Sequence, residues 1–267
     1  MRLPEKYTEI TPKRIENSYF PPSGTVLFEE GNDGAGDYFC LYWPIGQEDE
    51  TPHVFHLNHE ESILEPIHYD LTAFLNNLDL ETGEVLVYPG LRDENYFLSC
   101  FQRAKVFSKK DTVEATRLLK RSTELFPEYS DNWYWLLKLT DKSEVKKRLK
   151  YAIRCFCSNW AFGLPNVEAL KEILEIRNSG FEFDDPIFNR IGKSDKTENL
   201  LNLNFDSAEL HEIAYDYMIK EDFVSFLLML QNYIFFRALT TRKTGLTNLI
   251  NEIKEVVDKY FPERKYS

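Results

Sequence analysis

Hydrophobic and polar positions follow two different periods along the chain, and the change falls near Glu94. Before it, short β-branched and aromatic runs are cut by turn residues. Thr25-Val-Leu-Phe28 lies between Pro21, Pro22 and Gly24 on one side and Gly31 on the other, which predicts a strand. Asn32-Asp-Gly-Ala-Gly36 supplies turn chemistry, and Asp37 to Trp43 predicts a second strand closed by Pro44-Ile-Gly46. Gln47 to Thr51 reads as an acidic loop, after which Pro52 introduces a strand from His53 to Leu57. Leu71-Thr-Ala-Phe-Leu75 has helical spacing and is expected to lie on this sheet, with Val85 to Tyr88 as a further short strand.

From Glu94 onward the apolar period is about 3.6 residues. Helices are predicted over 95–108, over 112–126 with Asp111 as cap and Pro127 as stop, over 131–139 and over 144–157. Leu119 to Phe126 and Leu149 to Phe156 are loosely similar at an offset of 30, which falls short of a repeat, and the region reads as a helical-hairpin stack, tetratricopeptide-like in Ala115, Leu118, Leu119 and Pro127. Residues 178–196 read as a long loop or hinge whose Phe181, Phe183, Ile187 and Phe188 fold down on neighbours. Three helices follow. The first, over 207–220, has Asp206 as its cap. The second, over 222–239, is apolar nearly all round and therefore central. The last carries one stripe from Leu246 to Tyr260, and Arg237, Arg242 and Lys243 read as a solvated helix end. The expected architecture is α+β: a small antiparallel-type sheet with a packed helix over 1–92, then an all-α region over 93–267.

Composition adds that 267 residues, 43% hydrophobic and 28% charged, can form an ordinary packed core. No basic and apolar leader opens the sequence, and the most apolar segment, Phe223 to Phe236, is too short to span a bilayer. The four cysteines follow neither disulfide nor zinc spacing, so reduced thiols, a cytoplasmic location and no membrane association are expected. Charge changes the picture more. The net of -12 disfavours direct nucleic-acid binding. Residues 1–90 hold 4 basic and 17 acidic side chains, whereas residues 91–267 hold 28 and 27. Between Arg14 and Arg92 there is no Lys or Arg. Acidic groups interleaved with aromatic residues suit an interface for a basic partner, although a solvated acidic face would leave the same pattern.

Taken together, Gly36-Asp-Tyr-Phe-Cys-Leu-Tyr-Trp43, Pro52-His-Val-Phe-His-Leu-Asn-His-Glu60 and Leu71-Thr-Ala-Phe-Leu75 resemble the core of the SUKH superfamily over roughly residues 24–76. The family's opening segment is echoed only by Leu3-Pro4-Glu5-Lys6-Tyr7. The resemblance implies an immunity protein, which binds and neutralises a cognate toxin, often a nuclease, without catalysis.

The residues expected to meet such a basic toxin are Glu29, Glu30, Asp33 and Asp37 around one turn, Glu48, Asp49 and Glu50 in the acidic loop, and Trp43 as an aromatic anchor. Reversing Glu48, Asp49 and Glu50 to Lys together is expected to slow association with the fold retained. No catalytic motif is present and no cofactor is expected. Two alternatives stand beside this reading. One is an interaction scaffold with a tetratricopeptide-like peptide groove. The other is a metal-dependent hydrolase using His56 and His59, with Glu60 among the nearby carboxylates.

Overall fold

The computed structural model describes residues 7, 9–13, 20–31, 37–80, 82–191, 207–240 and 246–264. Five strands form an antiparallel meander in chain order: β1 (Pro12–Lys13), β2 (Thr25–Phe28), β3 (Tyr38–Tyr42), β4 (His53–Asn58) and β5 (Ile63–His68). The register aligns Val26 with Leu41 and Leu41 with Val54 on one face. Leu27, Cys40 and Phe55 are aligned on the other. Both faces are covered, which explains why β2 and β3 are apolar at nearly every position instead of alternating with polar residues.

Helix α1 (Leu71–Leu75) covers the first face. Asp70 caps it by accepting from the Ala73 N–H at 2.7 Å, and Phe74 packs edge-on against Phe28 and Phe39. Pro66 in β5 and the charged Glu65 conceal that strand in the sequence. Proline is tolerated here because β5 is the sheet's edge, paired only with β4. Predicted strand Val85–Tyr88 is reduced to one bridge between Leu78 and Val85, within a small hairpin that also joins Asp79 N–H to the Glu84 carbonyl at 2.9 Å. At the hairpin's turn Gly83 has φ +71°, and a Cβ there would lie 2.7 Å from the Gly31 carbonyl oxygen. Gly83→Ala is expected to lower stability by about 1–2 kcal/mol, through positive φ and this overlap together. An unchanged urea-unfolding midpoint would show that the hairpin does not depend on the contact.

The opposite face receives the helices. α2 (Phe97–Phe107), α3 (Thr112–Leu125), α4 (Ser130–Leu139), α5 (Val145–Cys157) and α6 (Val167–Asn178) each pack on the next, with a 3-10 turn at Trp160–Phe162 between the last two. Asp111 caps α3 as its sequence position predicts, accepting from Val113 and Glu114 N–H. The two similar segments fall in α3 and α5, the second helices of successive hairpins. The predicted hinge is narrower than expected. Asn178 ends α6, and α7 (Pro186–Arg190) follows with Ile187 and Phe188 buried, while 192–196 lie outside the described residues. Helices α8 (Ser207–Ile219), α9 (Phe223–Thr240) and α10 (Leu246–Tyr260) complete the chain. α9 is the buried central one, and Asp206, Arg242 and Lys243 lie outside the described residues.

Sheet and helices meet in an aromatic cluster. Phe126, at the end of α3, stacks on Phe97 at 4.6 Å and also touches the rings of Tyr42, His53, Phe55 and Phe162. One apolar core therefore crosses the chain boundary near residue 92 and joins the two regions.

Candidate functional site

The acidic region contains two different kinds of carboxylate. Asp49 and Glu50 are exposed on a turn after β3, which is held to α3 by the Gln47 side-chain amide donating to the Glu124 carbonyl at 3.2 Å. Glu60, Glu61, Glu65 and Glu84 are exposed as well. Glu29 is exposed but pairs with Lys13 at 3.1 Å, and Glu30 accepts from the Thr11 N–H at 2.8 Å. Asp33 lies outside the described residues. Asp37 accepts from both the backbone and the ring Nδ1 of His59, at 3.0 and 2.7 Å. Burial alone would raise the Asp37 carboxyl, but these bonds and the neighbouring His56 and His59 hold it below its ordinary value.

Glu48 departs from its sequence reading. Its side chain is turned inward, with Oε1 2.8 Å from Nη1 of Arg264, which is fully buried. Reversing Glu48 along with Asp49 and Glu50 would bring two cations together in a buried site, so the triple reversal would test folding rather than association. Around this pair lies a polar network. Tyr42 Oη donates to Glu128 Oε2 at 2.6 Å while accepting from Asn159 Nδ2 at 3.0 Å and Arg264 Nη2 at 3.2 Å. Glu128 Oε1 accepts from the Ile45 N–H at 2.5 Å. Burial raises the Glu128 carboxyl, with Arg264, Tyr42, Ile45 and Asn159 opposing that rise. Every partner of this network is internal, which makes it an element of structure.

Trp43 does not reach the surface either. It is 2% exposed and meets Tyr7 edge-on at 5.6 Å, because a strand residue on a sheet covered on both faces enters the core whichever way it points. The apolar surface lies elsewhere. Leu80, Leu86, Val87, Tyr88 and Leu91 are between 55% and 68% exposed, in the segment that leads from the small hairpin to α2. Both ends of this strap are tied down. Leu86 N–H donates to the Asn77 carbonyl at 2.7 Å. Beyond it, Ser99 Oγ donates to the Gly90 carbonyl at 2.8 Å and Tyr69 Oη to Asp93 at 2.6 Å. Asp79, Glu84 and Asp93 flank it along the chain. The hydrophobicity of Val85 to Tyr88 was the available sequence signal, but hydrophobicity does not reveal which side chains remain uncovered.

His53 and His56 point to opposite faces of β4, as strand geometry requires. His53 contacts Phe97 and Phe126 in the helical core, whereas His56 contacts Phe39 on the other face and lies 3.9 Å from Asp37 and 3.8 Å from Glu65. Among the described residues no group of three or more His, Cys, Asp or Glu side chains is arranged to hold a metal. No helix among the described residues is long and apolar enough to cross a membrane.

Residues 10–84 match the family model described as the YfbP N-terminal domain. A protein of Escherichia coli (strain K12), described as "Uncharacterized protein YfbP", is 29% identical over 250 residues, covering 87% of this chain and 85% of that relative. The similarity therefore runs through the sheet and the helices alike. No solved structure matches.

Proposed function

We propose that the chain is a non-catalytic binding protein whose acidic N-terminal region docks a basic protein partner, and that the exposed strap from Leu80 to Leu91 forms the apolar centre of that interface. The observation that carries this reading is the strap itself: five large apolar side chains exposed on a tethered segment that also carries the exposed Glu84, in a stretch with no Lys or Arg between Arg14 and the exposed Arg92 at its end. Apolar groups clustered on a surface mark an interaction site, and a surrounding field of one sign selects a partner of the other. A segment fixed at both ends loses little freedom on binding.

The SUKH resemblance supplies a more specific form of the same proposal. The partner would be a toxin with a basic substrate site, and docking would neutralise it by occupying the place of an anionic substrate. Four free, buried thiols suit the reducing cytoplasm in which an immunity protein would meet such a toxin.

Used as bait at low salt, the protein is expected to capture one basic protein and to lose it as salt is raised. Asp49→Lys with Glu50→Lys is expected to slow association about tenfold, and Leu86→Ser with Tyr88→Ser to speed dissociation by about tenfold or more, with unfolding midpoints unchanged. If neither double variant alters binding, the interface lies elsewhere. Stoichiometric loss of the partner's activity would support neutralisation. Binding that spares its activity and survives the strap substitutions would favour the scaffold reading.

A further inference from the structure

Beside the buried network, a cleft of about 380 Å³ opens where the turn after β3, the ends of α3 and α5, and α9 converge. This volume falls within the range of small-molecule sites, about 300–1,000 Å³. Its walls are largely apolar. Trp133 stands on one side, fixed by its Nε1–H donating to the Pro127 carbonyl at 2.7 Å, while Ile45, Val224 and Leu228 line other parts.

The charges on the lining differ sharply in what they touch. Glu128 is saturated by Tyr42, Ile45 and Asn159. Glu124 faces Arg121 at 3.4 Å, and the Ser158 hydroxyl donates to the Arg154 carbonyl. Arg154 is exposed, and its guanidinium makes no hydrogen bond or ion pair with another described residue. Cys157 also lines the cleft, but burial pushes its thiol up to about 12, so it remains a protonated wall and not a nucleophile. One cation without a protein partner therefore belongs to the lining of a largely apolar slot, at its solvent side.

We propose that this cleft binds a small monocarboxylate with an apolar body, its acid group on Arg154 and its hydrocarbon part against Trp133 and Leu228. A planar guanidinium matches a carboxylate edge with two parallel N–H bonds. A doubly charged phosphate ester would leave one charge uncompensated beside Glu124. The site draws on none of the residues assigned to the protein interface.

The test uses the full-length protein with octanoate and 4-phenylbutyrate as probes and 1-octanol as the neutral control, followed by calorimetry and tryptophan fluorescence. Saturable binding of a carboxylate probe below about 1 mM is expected. Arg154→Met should weaken it at least tenfold and Arg154→Lys should retain most of it, while binding of the alcohol is the same in all three. Trp133→Phe should abolish the fluorescence response. Absence of saturable carboxylate binding to the unmodified protein overturns the proposal, as does equal carboxylate affinity in the Met variant. Because the Arg154 side chain bonds to nothing described, its variants are expected to keep the unfolding midpoint, so lost binding reports on the site.

Discussion

Arg264→Met is expected to cost about 3–5 kcal/mol of stability, the range for removing one member of a buried ion pair. Each nitrogen of the guanidinium has a use: Nη1 on Glu48 at 2.8 Å, Nε on Ser23 Oγ at 3.1 Å, and Nη2 on the Ser23 carbonyl and, at 3.2 Å, on Tyr42 Oη. Gly24 provides the room, since its φ is +87° and a Cβ there would overlap the guanidinium. Methionine would fill much of the space but leave the Glu48 carboxylate inside with little more than the Gly46 N–H, and the Ser23 carbonyl would lose its charged donor. Urea unfolding at neutral pH provides the measurement. Adding Glu48→Gln to Arg264→Met should recover part of the loss, because the second change removes the stranded charge. A loss below about 1 kcal/mol would mean that water or rearrangement compensates Glu48, and that the C-terminal segment does not fasten the sheet to the helices.

That residue also marks the limit of what the sequence made legible. Strands β2, β3 and β4 could be read because β-branched and aromatic runs ended at Pro and Gly, and α3 because Asp111 and Pro127 bracket an apolar stripe. Those signals are local. Arg264 and Ser23 are separated by 241 positions, and their bond depends on the whole chain closing on itself. Counting charges by segment assigned Glu48 to an acidic surface, although its counterion arrives from the far end of the chain.

The same limit accounts for the misplaced aromatic anchor. Trp43 and Tyr88 both carry large rings in the acidic third, but the first continues a sheet with two covered faces and the second belongs to a strap that follows the hairpin. Helix α6 has a clear stripe in Ala169, Leu170, Ile173 and Leu174 with Asn166 as cap, so its signal is local and lies within reach of periodicity.

Burial of His53 leads to the second large effect, one that depends on pH. Nε2 lies 3.3 Å from the Leu125 carbonyl, which can only accept, so the proton resides on Nε2. Nδ1 has no partner among the described residues. Burial among aromatic rings pushes the imidazole down to about 4 despite the opposing Leu125 bond, whereas the unfolded chain titrates near 6.5. Between these values the unfolded state takes up a proton that the folded state refuses. The contribution of His53 is thus fully present above about pH 6.5 and lost progressively toward pH 4, a total of about 3 kcal/mol.

Other groups act in the same acidic range. Burial raises Glu128, Asp131 and Asp185, which favours the folded state as pH falls, while the lowered His68 acts in the same direction as His53. The wild-type curve alone would mix these effects. The difference between wild type and His53→Gln isolates the ring, because glutamine keeps an N–H for Leu125 but cannot take the proton. Relative to the variant, wild type should lose about 3 kcal/mol between pH 7 and pH 4 in urea titrations. A difference that is flat with pH would show that His53 becomes protonated in the folded protein, and that the aromatic junction admits water at that point.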